Sequence, residues 1–176
     1  KVRDFYHNRG FFEFRVDGTK VDMSEDKKKM FVTINVTEGP QYRWGDVNIQ
    51  GDIREVPMAD LQKLTRHIKK GKVYEREQMV QAVQAVQERM GEAGYAFSSV
   101  NVLPQPKRES GVVDFTLQVD AGRKVYVNQI NISGNNKTRD EVVRRELRQM
   151  EAAVFDSKKI QRSKERVELL GYFDNV

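Results

Sequence analysis

The sequence predicts an α+β fold built from tandem β-α-α-β-β modules, and three repeated landmarks lead to this prediction. The segment VNIQGD at 47–52 is matched by INISGN at 130–135, 83 residues further along the 176-residue chain. Strand patterns that end in glycine, at 32–39 and 115–122, have the same offset. Glycine followed by aromatic residues recurs at 10–12, 94–97 and 171–173. Repeats of this length usually mark one supersecondary unit each.

The middle copy gives the order of elements within one unit. A short strand at 47–50 precedes a helix with Pro57 in its first turn and Leu61, Leu64 and Ile68 on one face. A second helix with apolar residues from Met79 to Met90 stops at Gly94. A strand at 96–103 ends before two prolines, and a last strand alternates between apolar and polar residues over 113–119. Two helices can then cover one face of a three-stranded sheet.

The landmarks divide the chain into a first repeat (1–40), a middle repeat (41–122) and a last repeat (123–176). The first repeat has only the end of the second helix and two strands, and the last has the first strand and both helices. We therefore expect a piece of a longer protein whose flanking repeats pack on the complete middle one or on a neighbouring molecule. Thr138–Glu141 has the pattern of a capping box at the start of the last repeat's first helix.

Composition and motifs exclude several kinds of chemistry. The chain has no cysteine, which excludes disulfides, cysteine-zinc sites and thiol catalysis. It has two histidines without metal-ligand spacing, and no hydrolase, metalloprotease or P-loop motif. No apolar run is long enough for a membrane helix. We therefore predict that the chain is not an enzyme and has no metal and no cofactor.

These landmarks resemble the POTRA (polypeptide-transport-associated) repeats of the BamA family of outer-membrane assembly factors. The most specific match is VRRELRQME at 143–151 together with KER at 164–166 and LGYF at 170–173, which is similar to the repeat next to the barrel. Ala152 departs from the glycine that is common there. The resemblance implies parts of repeats three and five around a whole repeat four, each with a three-stranded mixed sheet covered on one face. It also implies a periplasmic arm of an outer-membrane protein, whose own C-terminal β-barrel is absent here.

The second strand of the first repeat is the first candidate site. Its apolar residues move from even positions (Phe12, Phe14, Val16) to odd ones (Val21, Met23) after Gly18, which is typical of a β-bulge. This strand lacks the prolines that block the corresponding strand of the middle repeat. An open edge can bind an extended peptide through its main chain. The predicted client-binding residues are Phe12, Glu13, Phe14, Arg15, Val16, Thr19 and Val21. Alternatively, charged residues or a neighbouring repeat shield an ordinary edge strand.

The charged helix face in the last repeat is the second candidate. Family resemblance implies that this repeat docks an accessory lipoprotein, with Arg144 and Glu151 as the docking pair and Arg148 beside them. Alternatively, these residues form local ion pairs on a solvated helix face.

The resemblance implies a binding arm that captures unfolded outer-membrane proteins by edge-strand augmentation and docks accessory lipoproteins. One alternative is the POTRA arm of a two-partner secretion or organelle import pore. Another is a nucleic-acid-binding module, because the net charge is +5 and basic residues cluster at 66–72. That cluster has no G-x-x-G loop and no interleaved aromatic row, so we expect no nucleic acid; the C-terminal helix dipole or anionic lipid would suit it equally well.

Overall fold

The structure is a computed structural model that describes residues 1–173 and 175–176. The helices are α1 (Val2–His7), α2 (Met58–Leu64), α3 (Arg76–Glu92), α4 (Asp140–Arg144) and α5 (Ser157–Glu168). The strands are β1 (Arg15–Met23), β2 (Met30–Thr37), β3 (Arg43–Asp52), β4 (Ser99–Lys107) and β5 (Val112–Asp120). None of the helices in the described part of the chain is both long and apolar enough to cross a membrane.

The middle repeat has the predicted order β3-α2-α3-β4-β5, and its sheet has the strand order β3-β5-β4. Bonds from Asp46 to Asp114 and from Gln50 to Gln118 keep the same sequence separation, so β3 and β5 run parallel. β4 and β5 are neighbours joined by a short turn and are therefore antiparallel. The predicted α+β fold with a mixed three-stranded sheet is confirmed.

The chain divides into two compact units, and the boundary between them runs through the middle repeat. The first unit comprises residues 1–48, 65–82 and 102–116, and the second comprises 49–64, 83–101 and 117–176. The core of the second unit packs Leu61 of α2 and Val86 and Met90 of α3 against Val119 of β5. This is the expected packing of two helices on one face of a sheet.

The core of the first unit is aromatic. Trp44 lies on β3, Phe115 lies on β5, and Tyr74 lies just before α3; all three are almost fully buried. The rings of Tyr74 and Phe115 stack with their centroids 5.4 Å apart. Phe12 of the first repeat turns its ring edge toward Tyr42, Tyr74 and Phe115. The first repeat thus packs on the middle repeat through aromatic contacts, as the incomplete element set led us to expect.

Glycine carbonyls connect consecutive repeats at equivalent places. The carbonyl of Gly10 accepts a hydrogen bond from Tyr42 N at 2.7 Å, and that of Gly94 accepts one from Val125 N at 2.9 Å. Both glycines have positive φ, +91° and +100°, which a residue with a side chain adopts only at a cost. The glycine landmark of the sequence therefore ends a helix and also receives the next repeat.

The predicted bulge in the first repeat is confirmed. β1 and β2 pair antiparallel, and the register shifts between Val16 and Gly18, which leaves Asp17 as the extra residue. Residues on both faces of this two-stranded sheet are largely exposed.

Several predicted element details are wrong. β4 does not stop at Leu103 but continues through Pro104 and Pro106, because an edge strand needs no N–H on its outer side. The segment 130–135 of the last repeat forms no strand, since the described residues include no strand to pair with it. The Thr138 capping box does not form; Arg139 is the N-cap of α4, without a side-chain bond.

Candidate functional site

The outer edge of β1 has no strand partner among the described residues. Its hydrogen-bonding pattern follows from the turn that joins β1 to β2, where Ser24 N donates to Lys29 O at 2.9 Å. Because inward and outward amides alternate along an antiparallel strand, Asp22, Lys20 and Gly18 direct their N–H groups toward β2. Thr19, Val21 and Met23 therefore present N–H and C=O groups at the free edge.

The bulge changes this alternation for the residues before it. Arg15 pairs with Thr37, and Val16 pairs with Val36. The register therefore directs the N–H of Arg15 toward β2, as for Gly18 and Lys20. It places the N–H of Val16 at the free edge, as for Thr19. Arg15 and Thr19, which look equivalent in the sequence, thus use their amides in opposite directions.

Three predicted edge residues lie before β1, which begins at Arg15. The ring of Phe14 is 4% exposed and stacks on Tyr6, with centroids 4.1 Å apart. The carboxylate of Glu13 accepts hydrogen bonds from Arg108 Nε and Nη2 and from the Tyr42 hydroxyl. Phe12 and Glu13 hold the first repeat on the middle one, and Phe14 packs inside the first repeat. The prediction that these three residues belong to the edge strand is therefore wrong.

Charged side chains on β1 pair along the strand. Arg15 Nε lies 2.9 Å from Asp17 Oδ1, and Lys20 Nζ lies 3.0 Å from Asp22 Oδ2. All four side chains are substantially exposed, so these pairs are weak and exchangeable. They neutralise each other beside the edge and leave its main chain accessible.

The opposite face of the β1–β2 sheet is apolar. Val21 lies opposite Val32, Met23 opposite Met30, and Thr19 opposite Ile34. Val21, Met23, Met30 and Val32 are each more than half exposed. The free edge of β1 therefore borders an exposed apolar surface.

The predicted docking pair of the last repeat forms an internal brace. Arg144 Nη1 lies 3.2 Å from Glu151 Oε1, and the same carboxylate oxygen accepts from Ile130 N at 2.9 Å. Arg144 also donates to Ile130 O and to Asp140. The bond from Ile130 N and the Arg144 cation lower the pKa of Glu151. The two side chains fasten the segment around Ile130, and each remains 43% exposed.

Arg148 is placed differently from this pair. It is exposed, and its guanidinium donates to the carbonyls of Arg145 and Leu147, at 3.4 and 3.1 Å. No ion pair joins it to a carboxylate within residues 1–173 and 175–176. Arg148 therefore keeps an accessible charge, and its neighbour Met150 is 64% exposed.

Sequence reasoning missed the side chains that hold this loop, Gln149 and Ser163. They are 4% and 6% exposed and are the buried polar residues in the described part of the chain. Their polar character inside an apolar helix pattern was a possible signal, but their partners lie up to fifteen positions away. Such pairing cannot be deduced from periodicity.

The basic residues at 66–72 make contacts within the middle repeat. Lys70 of the basic cluster pairs with Asp46 at 2.7 Å, and His67 Nε2 contacts the carbonyl of Gln78. Within the described residues, no group of three or more acidic or histidine side chains is arranged to hold a metal ion.

Comparisons with known proteins show which family the chain resembles. The POTRA family model, described as surface antigen variable number repeat, matches residues 1–39, 42–122 and 125–176. The chain is 58% identical, over its full length, to the outer membrane protein assembly factor BamA of Neisseria meningitidis serogroup B, of which it spans 22%. The chain thus spans about a fifth of the length of this curated relative.

Two solved structures are similar as well. The crystal structure of Haemophilus influenzae BamA POTRA3-5 matches with a TM-score of 0.89 and 31% identity, covering 99% of this chain and 68% of that one. BamA from Haemophilus ducreyi lacking POTRA domains 1-3 matches with a TM-score of 0.66 and 30% identity, covering 77% of this chain and 25% of that one. The chain therefore belongs to the POTRA family.

Proposed function

We propose that this chain is part of the periplasmic arm of an outer-membrane protein assembly factor. In this role it captures unfolded outer-membrane proteins, its clients, on the free edge of β1 and docks accessory lipoproteins on the last repeat. The observation that carries the proposal is the row of outward amides and carbonyls at Thr19, Val21 and Met23. The similarity to BamA chains favours this role over a secretion or import pore.

Capture through the main chain suits clients that share strand-forming segments but differ in sequence. An added strand pairs with backbone groups that every client has, and its alternate side chains can lie over the apolar face beside Val21 and Val32. The local ion pairs of Arg15 and Lys20 limit aggregation of this edge without covering it.

The edge strand of the middle repeat that corresponds to β1 is poorly suited to capture. β4 is the edge strand of its sheet and contains Pro104 and Pro106, which lack N–H groups. Because these prolines are two residues apart, they remove donors from the same side of the strand. The two repeats thus differ in how much main chain they offer to a client, and the first repeat is the better site.

Docking on the last repeat uses Arg144, Arg148 and Glu151. Arg148 and Met150 are accessible at once, while Arg144 and Glu151 would exchange part of their mutual contact for contact with the partner. A charge reversal at Glu151 is expected to weaken docking and also to release Ile130. Reversal of Arg148 is the cleaner test, because its guanidinium bonds to carbonyls of its own turn, at Arg145 and Leu147.

The capture site can be tested with two neighbouring prolines. Thr19→Pro removes an outward donor and leaves the pairing with β2 intact, whereas Lys20→Pro removes an inward donor and disturbs the hairpin. Photo-crosslinking of an unfolded outer-membrane protein to the purified chain should fall strongly in Thr19→Pro while its circular dichroism is unchanged. Arg15→Pro also removes an N–H that points toward β2, so this variant should behave like Lys20→Pro. Undiminished crosslinking in a folded Thr19→Pro variant would reject edge capture.

A further inference from the structure

The loop at 145–156 joins α4 to α5 and carries Arg148 and Met150. A loop of this length normally adopts several conformations unless its backbone groups are satisfied. Here two buried polar side chains satisfy them, one from the loop itself and one from α5. Neither belongs to the capture edge or to the apolar core.

Gln149 bridges the two sides of the loop with its amide. Nε2 donates to Met150 O and to Val154 O, both at 3.1 Å, and Oε1 accepts from Asp156 N at 3.0 Å. Asp156 is also the N-cap of α5, where its carboxylate accepts from Lys159 N. One buried side chain thus joins the exposed part of the loop to the start of the next helix.

Ser163 fixes the backbone beneath Arg148. Its hydroxyl oxygen accepts from Arg148 N at 2.7 Å and from Gln149 N at 3.3 Å, and the hydroxyl donates to Lys159 O at 2.7 Å. The buried hydroxyl is therefore fully used, which is the arrangement that makes a polar contact inside a protein stabilising.

The loop does not adopt this shape through local preference alone. Ala152 has a φ of +58°, in the left-handed region that costs a residue with a Cβ about 1 kcal/mol. Bonds to other segments, including Ala152 N to Val127 O at 2.7 Å, hold it there. The single conformation is imposed by these contacts.

We propose that Gln149 and Ser163 are positioning residues that hold this loop in its docking conformation before a partner arrives. The proposal rests on the proposed docking function of the last repeat. When the loop is already ordered, binding does not include the entropy cost of ordering it. The apparent affinity is proportional to the fraction of molecules whose loop has the docking conformation. Gln149 and Ser163 thereby control docking without touching the partner.

The test compares Gln149→Leu and Ser163→Ala with Gln161→Leu. Gln161 lies on the exposed side of α5 and bonds to Glu165 one turn further along the helix, so it serves as the matched control. The probes are lipid-free forms of the accessory lipoproteins from the same cells, each purified and titrated separately against the chain. We expect both loop variants to bind about tenfold more weakly, in line with a competent fraction near one tenth, and the control to bind like the wild type.

Local hydrogen exchange separates positioning from a general loss of stability, and a double-mutant cycle tests the population argument. Because the partner binds only the competent conformation, Arg148→Glu should weaken binding by the same factor in the Ser163→Ala background as in the wild type. Hydrogen exchange at the amides of Arg148 and Asp156 should accelerate in both loop variants. Ser163→Ala removes only one hydroxyl group and adds no volume, so it remains informative if Gln149→Leu fails to fold.

The outcomes distinguish the two proposals. Wild-type chain that binds none of the lipoproteins overturns docking, and positioning with it. Normal binding by Gln149→Leu or Ser163→Ala despite faster exchange overturns positioning and leaves docking intact. Strong coupling between Ser163→Ala and Arg148→Glu contradicts a loss of competent population and overturns positioning as well.

Discussion

Replacing Phe12 by alanine should destabilise the first unit by removing the aromatic part of the contact between the first and middle repeats. The ring of Phe12 is in edge-to-face contact with Tyr42, Tyr74 and Phe115, at centroid distances of 6.1, 5.6 and 6.0 Å. These three rings belong to the middle repeat and are buried. Truncation leaves a cavity lined by aromatic carbon.

The size of the effect follows from burial. A Phe→Ala change in a closed core costs roughly 3–5 kcal/mol, and Phe12 is only partly buried. Each aromatic pair adds about 0.5–1.5 kcal/mol beyond area burial. A loss of about 2–3 kcal/mol in the free energy of unfolding is therefore expected. With a urea m-value of about 2 kcal/mol/M, the midpoint should fall by more than about 1 M.

The assay is urea unfolding followed by tryptophan fluorescence. Trp44 is the sole tryptophan of the sequence, and it lies inside this aromatic cluster. Phe97→Ala is the control, because Phe97 is 82% exposed and its removal should cost less than about 0.5 kcal/mol. An unchanged midpoint in Phe12→Ala, or an equal drop in Phe97→Ala, would refute the aromatic junction.

Three further predictions concern stability. Gly94→Ala should lower the free energy of unfolding by at least about 2 kcal/mol, measured by heat or urea, because φ is +100° and a Cβ would lie 2.5 Å from Val154 Cγ1. In the control Gly18→Ala the new Cβ meets nothing within 4 Å, and the loss should be under about 1 kcal/mol. Equal losses in the two variants would contradict the tight junction. Ala152→Gly should raise the free energy of unfolding by about 1 kcal/mol by relieving the left-handed strain, and a decrease would contradict it. Burial raises the pKa of Tyr74 to about 12, so the unfolded chain loses this proton at lower pH than the folded chain does. The free energy of unfolding should therefore fall by about 3 kcal/mol between pH 10 and 12, and Tyr74→Phe should lack this part of the loss. Identical pH profiles for the wild type and Tyr74→Phe would contradict the prediction.

The sequence was sufficient for features that depend on local periodicity. The alternation of Val113, Phe115, Leu117 and Val119 predicted the buried central strand, because one face of a sheet must be apolar to pack against helices. The phase change around Gly18 predicted the bulge. The repeated glycines predicted helix ends, and the structure adds that their carbonyls receive the next repeat.

Features that depend on distant partners could not be predicted. Phe12 and Phe14 continue the apolar alternation of β1 in the sequence, but both lie before the strand in the structure. Phe12 packs against Tyr42, and Phe14 stacks on Tyr6. Arg144 and Glu151 were identified by motif, yet their contact with Ile130 requires a segment that precedes them by many residues. Pro104 and Pro106 suggested a strand end because sequence alone does not say which strands lie at an edge.

Amide hydrogen exchange at single residues of β1 tests main-chain capture most directly. The purified chain would be compared with and without an extended peptide from an outer-membrane β-strand. Thr19, Val21 and Met23 should become protected when the peptide is bound, while Lys20 and Asp22, already bonded to β2, should change little. Peptide binding that leaves the Thr19 and Val21 amides unprotected would contradict capture at this edge.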